Sequence, residues 1–322
     1  MYQPHAMNSR ALLRRNASTR GGPLVLTYHR IAAGRDPLGQ CVHPERFAEH
    51  LAVLGVTAEI VPLHELGGGG RALRQVAITF DDGYACNAAI AAPLLRAHTA
   101  AATFFVPSRV LSDRSEYWWD RLEHAHFDGG LGVATVDVAI DGRRLRVDVR
   151  DDAGRLRSIK ALSRRLRPLP LATIDTLVAT IAGQLGAETM PACDAHALLD
   201  TAELKDLAAD PLFELGSHCV SHTMLSALTP PEQEEELATS RAALAELGGA
   251  PPTSVAYPFG TPDATGPVTL RAAAACGYRR GYLNTPGRID LRRTPLEQPR
   301  HMVHDWPAAQ FAAQLESWFR AQ

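Results

Sequence analysis

The chain has 322 residues, 46% of them hydrophobic and 21% charged, with 33 Lys+Arg against 35 Asp+Glu for a formal net charge of −2. This composition suits one large α/β domain or two small ones; it excludes a disordered or collagen-like chain and offers no global basic field calling for nucleic acid or an anionic membrane. The five cysteines (Cys41, Cys86, Cys193, Cys219, Cys276) are odd in number and contain no C-x-x-C pair, which argues against a disulfide framework or a zinc ribbon and predicts reduced core thiols.

Residues 1–22 carry arginines but no continuous apolar stretch, and no run is long enough to span a bilayer, so they read as a flexible lead into a cytoplasmic protein. From there, short apolar runs alternate with helical patterns, the rhythm of a βα-repeating fold with a parallel sheet or barrel. Expected strands are "PLVLTYH" (23–29), "QVAITF" (75–80), "AATFFV" (101–106), "LFELGSH" (212–218), "SVAYP" (254–258), "YRRGYL" (278–283) and "QPRHMV" (298–303). Among the helical patterns, residues 44–55 begin on Pro44 and stop at Gly55, and residues 229–249 have Thr229 as cap, acids in the early turns and Gly248 at the end. "GGGG" at 67–70 is a flexible loop without the spacing of a phosphate cradle.

Residues 112–200 break the rhythm. They lack a buried strand; the alternation around Asp141-Gly142 reads as an exposed hairpin, followed by two amphipathic helical stretches at 155–167 and 171–186. This segment is expected to be an insertion into a single domain spanning 23–322, with a wall or lid beside the site and plain packing as equal alternatives.

The chemistry concentrates at expected strand ends, where ligands collect in α/β folds. Asp81 and Asp82 follow "AITF" directly; two adjacent carboxylates become tolerable when a cation offsets their repulsion. In "GSHCVSHTMLS", His218 and His222 are four apart, a spacing that lets two imidazoles face one ion. Together with an acidic strand end they make a two-histidine, one-carboxylate set that suits Zn²⁺, with Co²⁺, Ni²⁺, Mn²⁺ or Fe²⁺ as alternatives.

"TFDDGY", "SHCVSH" and "AYPFG", in this order, resemble the first three motifs of the polysaccharide deacetylases of carbohydrate esterase family four, the NodB-homology domain. The resemblance runs from "LTYHRI" to "PRHMV" and implies a distorted (β/α) barrel of about seven parallel strands. It further implies that Asp82, His218 and His222 bind one divalent metal, that Asp81 is the general base, and that a backbone N–H near Phe259 helps to hold the oxyanion. Two departures stand out. Ala256 occupies the position of the family's third-motif arginine, so Arg300 is the candidate to orient Asp81. No leucine-x-histidine motif supplies the usual acid, and "LTYHRI" resembles the branch of poly-N-acetylglucosamine and capsule or exopolysaccharide deacetylases, which makes His29 the candidate acid with His301 and His304 as competitors. Tyr84 and Asn87 after the Asp-Asp-Gly turn, Tyr257 and Phe259 in "AYPFG", and Trp118 and Trp119 are candidate pocket residues, with one tryptophan expected to pack and the other to meet sugar. Pro258 shapes the turn after its strand.

These readings imply a metal-dependent hydrolase that removes N-acetyl groups from a polymeric, lipid-linked or small sugar, most simply an intracellular biosynthetic intermediate. An O-deacetylase or deformylase on the same scaffold, and a carbohydrate-binding protein without catalysis, are the alternatives.

Overall fold

The computed structural model describes residues 22–67, 74–130, 132–187, 193–292 and 294–321. The expected flexible lead up to residue 21, and residues 68–70 of the glycine run, lie outside the described residues. Its strands in chain order are β1 (Leu24–Tyr28), β2 (Arg30–Ile31), β3 (Cys41–Val42), β4 (Glu59–Ile60), β5 (Gln75–Phe80) and β6 (Ala102–Val106). Then come β7 (Thr135–Ile140), β8 (Arg143–Asp148), β9 (Phe213–Ser217), β10 (Ser254–Ala256), β11 (Arg280–Tyr282) and β12 (His301–Met302).

Seven parallel strands run in the order β11-β10-β9-β6-β5-β1-β12, with the short β4 added beside the start of β5. The sheet curls into a distorted (β/α) barrel. Its two end strands approach each other where the Leu283 N–H donates to the Gln298 carbonyl and the Gln298 N–H donates to the Gly281 carbonyl, both at 2.8 Å. All seven expected strands are present; β4 is an addition, too short and too charged for its pattern to stand out in sequence.

Alternation along the strands sorts the core into two layers. Leu24, Leu26 and Tyr28 of β1, with Val76, Ile78 and Phe80 of β5, face outward onto Phe47, Leu51 and Leu54 of the helix Pro44–Thr57 and Phe311, Leu315 and Phe319 of the helix Ala308–Arg320. Val25, Ala77, Phe105, Ala256 and Tyr282 form a separate cluster inside the curl. A strand such as β1, buried on both faces, therefore reads as a continuous apolar run. The helix Pro230–Gly248 starts where the Thr229 N–H donates to the Glu232 carboxylate at 2.8 Å and stops at Gly249, whose φ of 77° suits a residue without Cβ.

In segment 112–200, Asp141 (φ 49°) and Gly142 (φ 70°) join β7 to β8 in a tight left-handed turn. The hairpin is not fully exposed as expected: Val136, Val138 and Ile140 are buried, because the helix Leu171–Gln184 covers that face and its Gln184 side chain bonds both the N–H and the C=O of Asp137. A helix at Trp118–Asp128, which the sequence pattern does not announce, and the helix Asp152–Leu166, capped by Asp151, complete the segment. All five cysteines are free thiols; Cys41 and Cys219 are buried and the others half-buried. Among the described residues no helix is long and apolar enough to cross a membrane.

Candidate active site

The carboxyl ends of β1, β5, β9 and β10 converge on a cavity of about 560 Å³. Six non-glycine residues among those described have positive φ, and four of them sit here: Asp82 (71°), Cys219 (62°), His222 (59°) and Phe259 (63°). Each such conformation costs on the order of 1–3 kcal/mol and persists only where the surroundings over-determine it, so strain is concentrated at these strand ends. After Asp81, whose N–H still continues the ladder to the Tyr28 carbonyl at 3.0 Å, the chain turns left-handed through Asp82 and Gly83. That reversal sends the two neighbouring carboxylates to different partners.

Asp81 meets Arg300. The guanidinium donates from Nη1 and Nη2 to Oδ1 and Oδ2 at 2.7 and 2.6 Å, in the two-pronged geometry that gives such pairs their strength and orientation. Arg300 is fully buried, bonds the Leu283 carbonyl at 3.0 Å and lies over the Phe105 ring inside the barrel. Ala256, on the same interior surface, presents only a methyl group there. Burial pushes the Asp81 carboxyl up, but Arg300, with His218 and His29, outweighs it and holds the group below the usual carboxylate range.

Asp82 meets the histidines. Its Oδ1 lies 3.3 Å from His218 Nε2 and 3.2 Å from His222 Nε2, and its Oδ2 lies 4.0 Å from His29 Nε2. His218 Nδ1 is 2.6 Å from the Ala256 carbonyl, which only accepts, so Nδ1 carries a proton and Nε2 is the nitrogen turned toward Asp82; against the penalty of burial, Asp81 and Asp82 hold this imidazole above its ordinary value. A carboxylate oxygen facing a bare imidazole nitrogen requires positive charge between them, from imidazole protons or from a metal ion. Oδ1 is buried without a well-formed hydrogen bond, and Asp82, His218 and His222 place their donor atoms within 4.8 Å of one another. This donor set fits the Zn²⁺-type ion expected from sequence. Against the penalty of burial, the two imidazoles hold the Asp82 carboxyl well below its ordinary value.

Around this floor, His29, Trp118, Trp119, Tyr257, Phe259, Asn284 and Met302 line the cavity. Both tryptophans border it, so the expected division into one packing and one groove residue takes another form. Trp119 stacks on Tyr117 at 4.3 Å and lies 4.5 Å from the His222 ring, while Trp118 stands edge-on to Trp119. Tyr117 ties this wall to the Asp-Asp-Gly turn by donating to the Asp82 carbonyl at 2.6 Å.

Several expected positions lie elsewhere. Tyr84 is fully buried outside the cavity lining, donating to Asp120 Oδ2 at 2.9 Å and accepting from Trp119 Nε1 at 3.2 Å; the left-handed turn swings it beneath the tryptophan wall. Asn87 is buried too and does not reach the cavity. Tyr257 borders the cavity, but its phenol donates to the Leu296 carbonyl and its N–H to the Tyr282 carbonyl. Pro258 follows β10 outside the sheet. The competing acids are not part of the lining: His301 packs on Trp318, and His304 donates from Nδ1 to the Gly39 carbonyl at 2.8 Å.

One side of the cavity comes from segment 112–200, the expected wall or lid, none of whose residues on this side were singled out in the sequence. Ile159, Lys160, Ser163 and Arg164 of the helix Asp152–Leu166, and Arg167 just beyond it, line the mouth. The signal was the spacing of Lys160, Arg164 and Arg167, four and three apart, which places three cations on one helical face.

A second buried group with ligand-like composition, Asp120, Glu123 and His196, lies beneath Trp119 and outside the cavity. Arg30 Nη2 is 3.2 Å from Glu123 Oε2, and its Nη1 is 3.8 Å from Asp120 Oδ1. Burial pushes the Asp120 carboxyl up to about 7 despite His196 and Arg30, and it raises Glu123 as well.

Comparison with known proteins adds to this geometry. A polysaccharide deacetylase family model matches residues 69–136 and 169–281, more than half of the chain. YxkH of Bacillus subtilis (strain 168), whose name carries a provisional polysaccharide deacetylase assignment, is 30% identical over 89 residues, which is 28% of this chain and 30% of that protein. The aligned part thus spans under a third of that relative. Among solved structures, the Streptococcus pyogenes deacetylase PplD in complex with acetate has a TM-score of 0.59 at 16% identity, covering 92% of this chain and 99% of that one. IcaB from Ammonifex degensii has a TM-score of 0.54 at 17% identity, covering 92% and 97%. At such identities the structural likeness is one of fold.

Proposed function

Because the chain belongs to the polysaccharide deacetylase family, we propose that it hydrolyses the N-acetyl group of an acetylated sugar to acetate and a free amine, using one divalent metal ion held by Asp82, His218 and His222. The observation that carries this reading is the division of labour between adjacent carboxylates: Asp81 is paired with Arg300, while Asp82 faces the two histidines.

An ion bound to that triad supplies Lewis acidity and lowers the pKa of water. The protein's own groups do the rest. Asp81, kept ionised by Arg300, is the general base that takes the proton of the attacking water, and Arg300 fixes which way its oxygens face. The Phe259 N–H, which donates to no acceptor among the described residues and is held by its strained backbone at the cavity wall, receives the oxyanion. His29, on the opposite side of Asp82, protonates the departing nitrogen as the C–N bond breaks. Trp118 and Phe259 offer apolar faces to the sugar ring.

Metal analysis coupled to acetate release tests these roles together. Asp81→Asn is expected to keep the metal and lose about 10²–10⁴ in turnover, whereas His218→Ala loses metal and turnover alike. Full activity in Asp81→Asn would remove the base assignment, and faster acetate release from O-acetyl than from N-acetyl sugars would replace the reaction.

A further inference from the structure

The two stretches matched by the family model are separated by residues 137–168, which hold most of the β7–β8 hairpin and the helix Asp152–Leu166. This is the part of the chain that brings Lys160, Ser163, Arg164 and Arg167 to the cavity mouth. The cations there outnumber the free anions. Among the described residues the only carboxylates in the lining are Asp81 and Asp82, and these are engaged by Arg300 and by the histidines. Arg167 is spent on structure: it pairs with Asp263 at 2.8 Å and lies 5.9 Å from the Phe259 ring, locking the helix end to the loop after β10. Lys160 and Arg164, one helical turn apart and exposed, pair with no carboxylate among the described residues; Arg164 bonds only the Lys160 carbonyl. A chain with a net charge of −2 thus turns two unneutralised cations toward the entrance of its candidate active site.

We propose that Lys160 and Arg164, with the Ser163 hydroxyl between them, form an anion-recognition rim, and that the substrate is an N-acetylated sugar carrying a phosphate or carboxylate group next to the sugar that is deacetylated. The inference rests on the deacetylase reading and adds the charge class of its substrate. An Arg fork and a Lys ammonium at adjacent turns can together bind the several oxygens of a phosphate or a carboxylate. The product's charge points the same way. Deacetylation converts a neutral acetamide into an ammonium group, so a poly-aminosugar that accumulates positive charge is repelled by this rim, whereas an anionic glycan is drawn in before and after reaction.

The test compares three substrates on the metal-loaded enzyme: a neutral methyl N-acetylglucosaminide, N-acetylglucosamine 1-phosphate, and a disaccharide of N-acetylglucosamine with a uronic acid. At least one charged sugar should exceed the neutral one in kcat/KM by about tenfold or more at low ionic strength, mainly through KM, and the advantage should shrink as salt rises. In Lys160→Ala/Arg164→Ala the charged-to-neutral ratio should fall to near one, and Lys160→Arg/Arg164→Lys should restore it. Which charged substrate responds distinguishes phosphate from carboxylate. Equal kcat/KM for all three in the wild type, or an unchanged ratio in the double alanine variant, overturns the rim while leaving deacetylation standing. No acetate from any sugar, together with binding of the sugar phosphate that the double variant weakens tenfold, overturns the deacetylase reading and keeps the rim.

Discussion

Asp82–His218–His222 and Asp120–Glu123–His196 are both buried sets of ligand-type residues with converging donor atoms, yet they differ in what surrounds them. The second contains its own cation. Arg30 lies within 4 Å of both carboxylates, Tyr84 donates to Asp120, and His196 Nδ1 is 3.0 Å from Glu116, so the protein itself supplies the positive charge these carboxylates face. The first opens to the cavity and includes no Lys or Arg ion pair to Asp82 among the described residues; the Ala256 carbonyl fixes one imidazole so that its free nitrogen looks inward. Ligand-type residues within reach of each other therefore do not by themselves mark a candidate metal centre; the internal guanidinium separates the two groups, since Glu123 and His196 also border a cavity, of about 260 Å³.

The sharpest way to break this contrast is to remove one acid from each group. Asp82→Ala should abolish metal binding and acetate release, while Glu123→Gln should leave the metal-to-protein ratio unchanged, as read by elemental analysis after metal loading and desalting. The reverse pattern would mean that the two groups have been assigned the wrong way round. A smaller effect comes from Arg30→Met, which keeps much of the buried stem but leaves Asp120 and Glu123 without their cation. Breaking a buried pair in this way costs about 3–5 kcal/mol. It should lower the denaturant midpoint with the metal ratio intact, and an undiminished midpoint would show that Arg30 does not hold the cluster together.

Legibility followed the same divide. The strands of the barrel were readable because parallel strands buried on both faces leave continuous β-branched and aromatic runs, as in "LVLTY" and "QVAITF". The Asp81–Asp82 and His218–His222 groups were readable because each sits within a few residues of such a run. Arg300, 219 residues from Asp81, was reachable only by asking what replaces the arginine missing at Ala256, and the structure pairs the two directly. What stayed hidden was direction. The left-handed turn at Asp82 and Gly83 sends Tyr84 down to Asp120 rather than into the cavity, and nothing in "DDGY" declares that reversal. The Arg30–Asp120–Glu123–His196 cluster gathers residues from three separated stretches, none of them near-neighbours in a recognisable motif. Lys160 and Arg164 looked like the solvated face of an amphipathic helix because their role depends on what that helix packs against.

The two groups should also differ in how they respond to acid, and here the sign separates them. Asp120 has a native pKa raised to about 7 from 3.8, so between those values the folded protein holds a proton that the unfolded chain has released. The stability this confers is fully present below about pH 4 and is lost as pH rises toward 7; Glu123 and His196, both raised, contribute with the same sign. Asp81 and Asp82 are depressed, so their contribution is present above the unfolded carboxylate value and is lost as pH falls. At about 1.4 kcal/mol per pKa unit, the Asp120 share amounts to about 2–3 kcal/mol between pH 5 and pH 7. Urea denaturation of chelator-treated protein across that range isolates it from metal binding. Asp120→Asn, which cannot titrate, should flatten the decline, whereas Asp81→Asn should leave that decline in place and soften the loss of stability on the acid side. If Asp120→Asn retained the full wild-type slope between pH 5 and pH 7, the proton would not reside on Asp120, and the Arg30 cluster would be a fully ionised network.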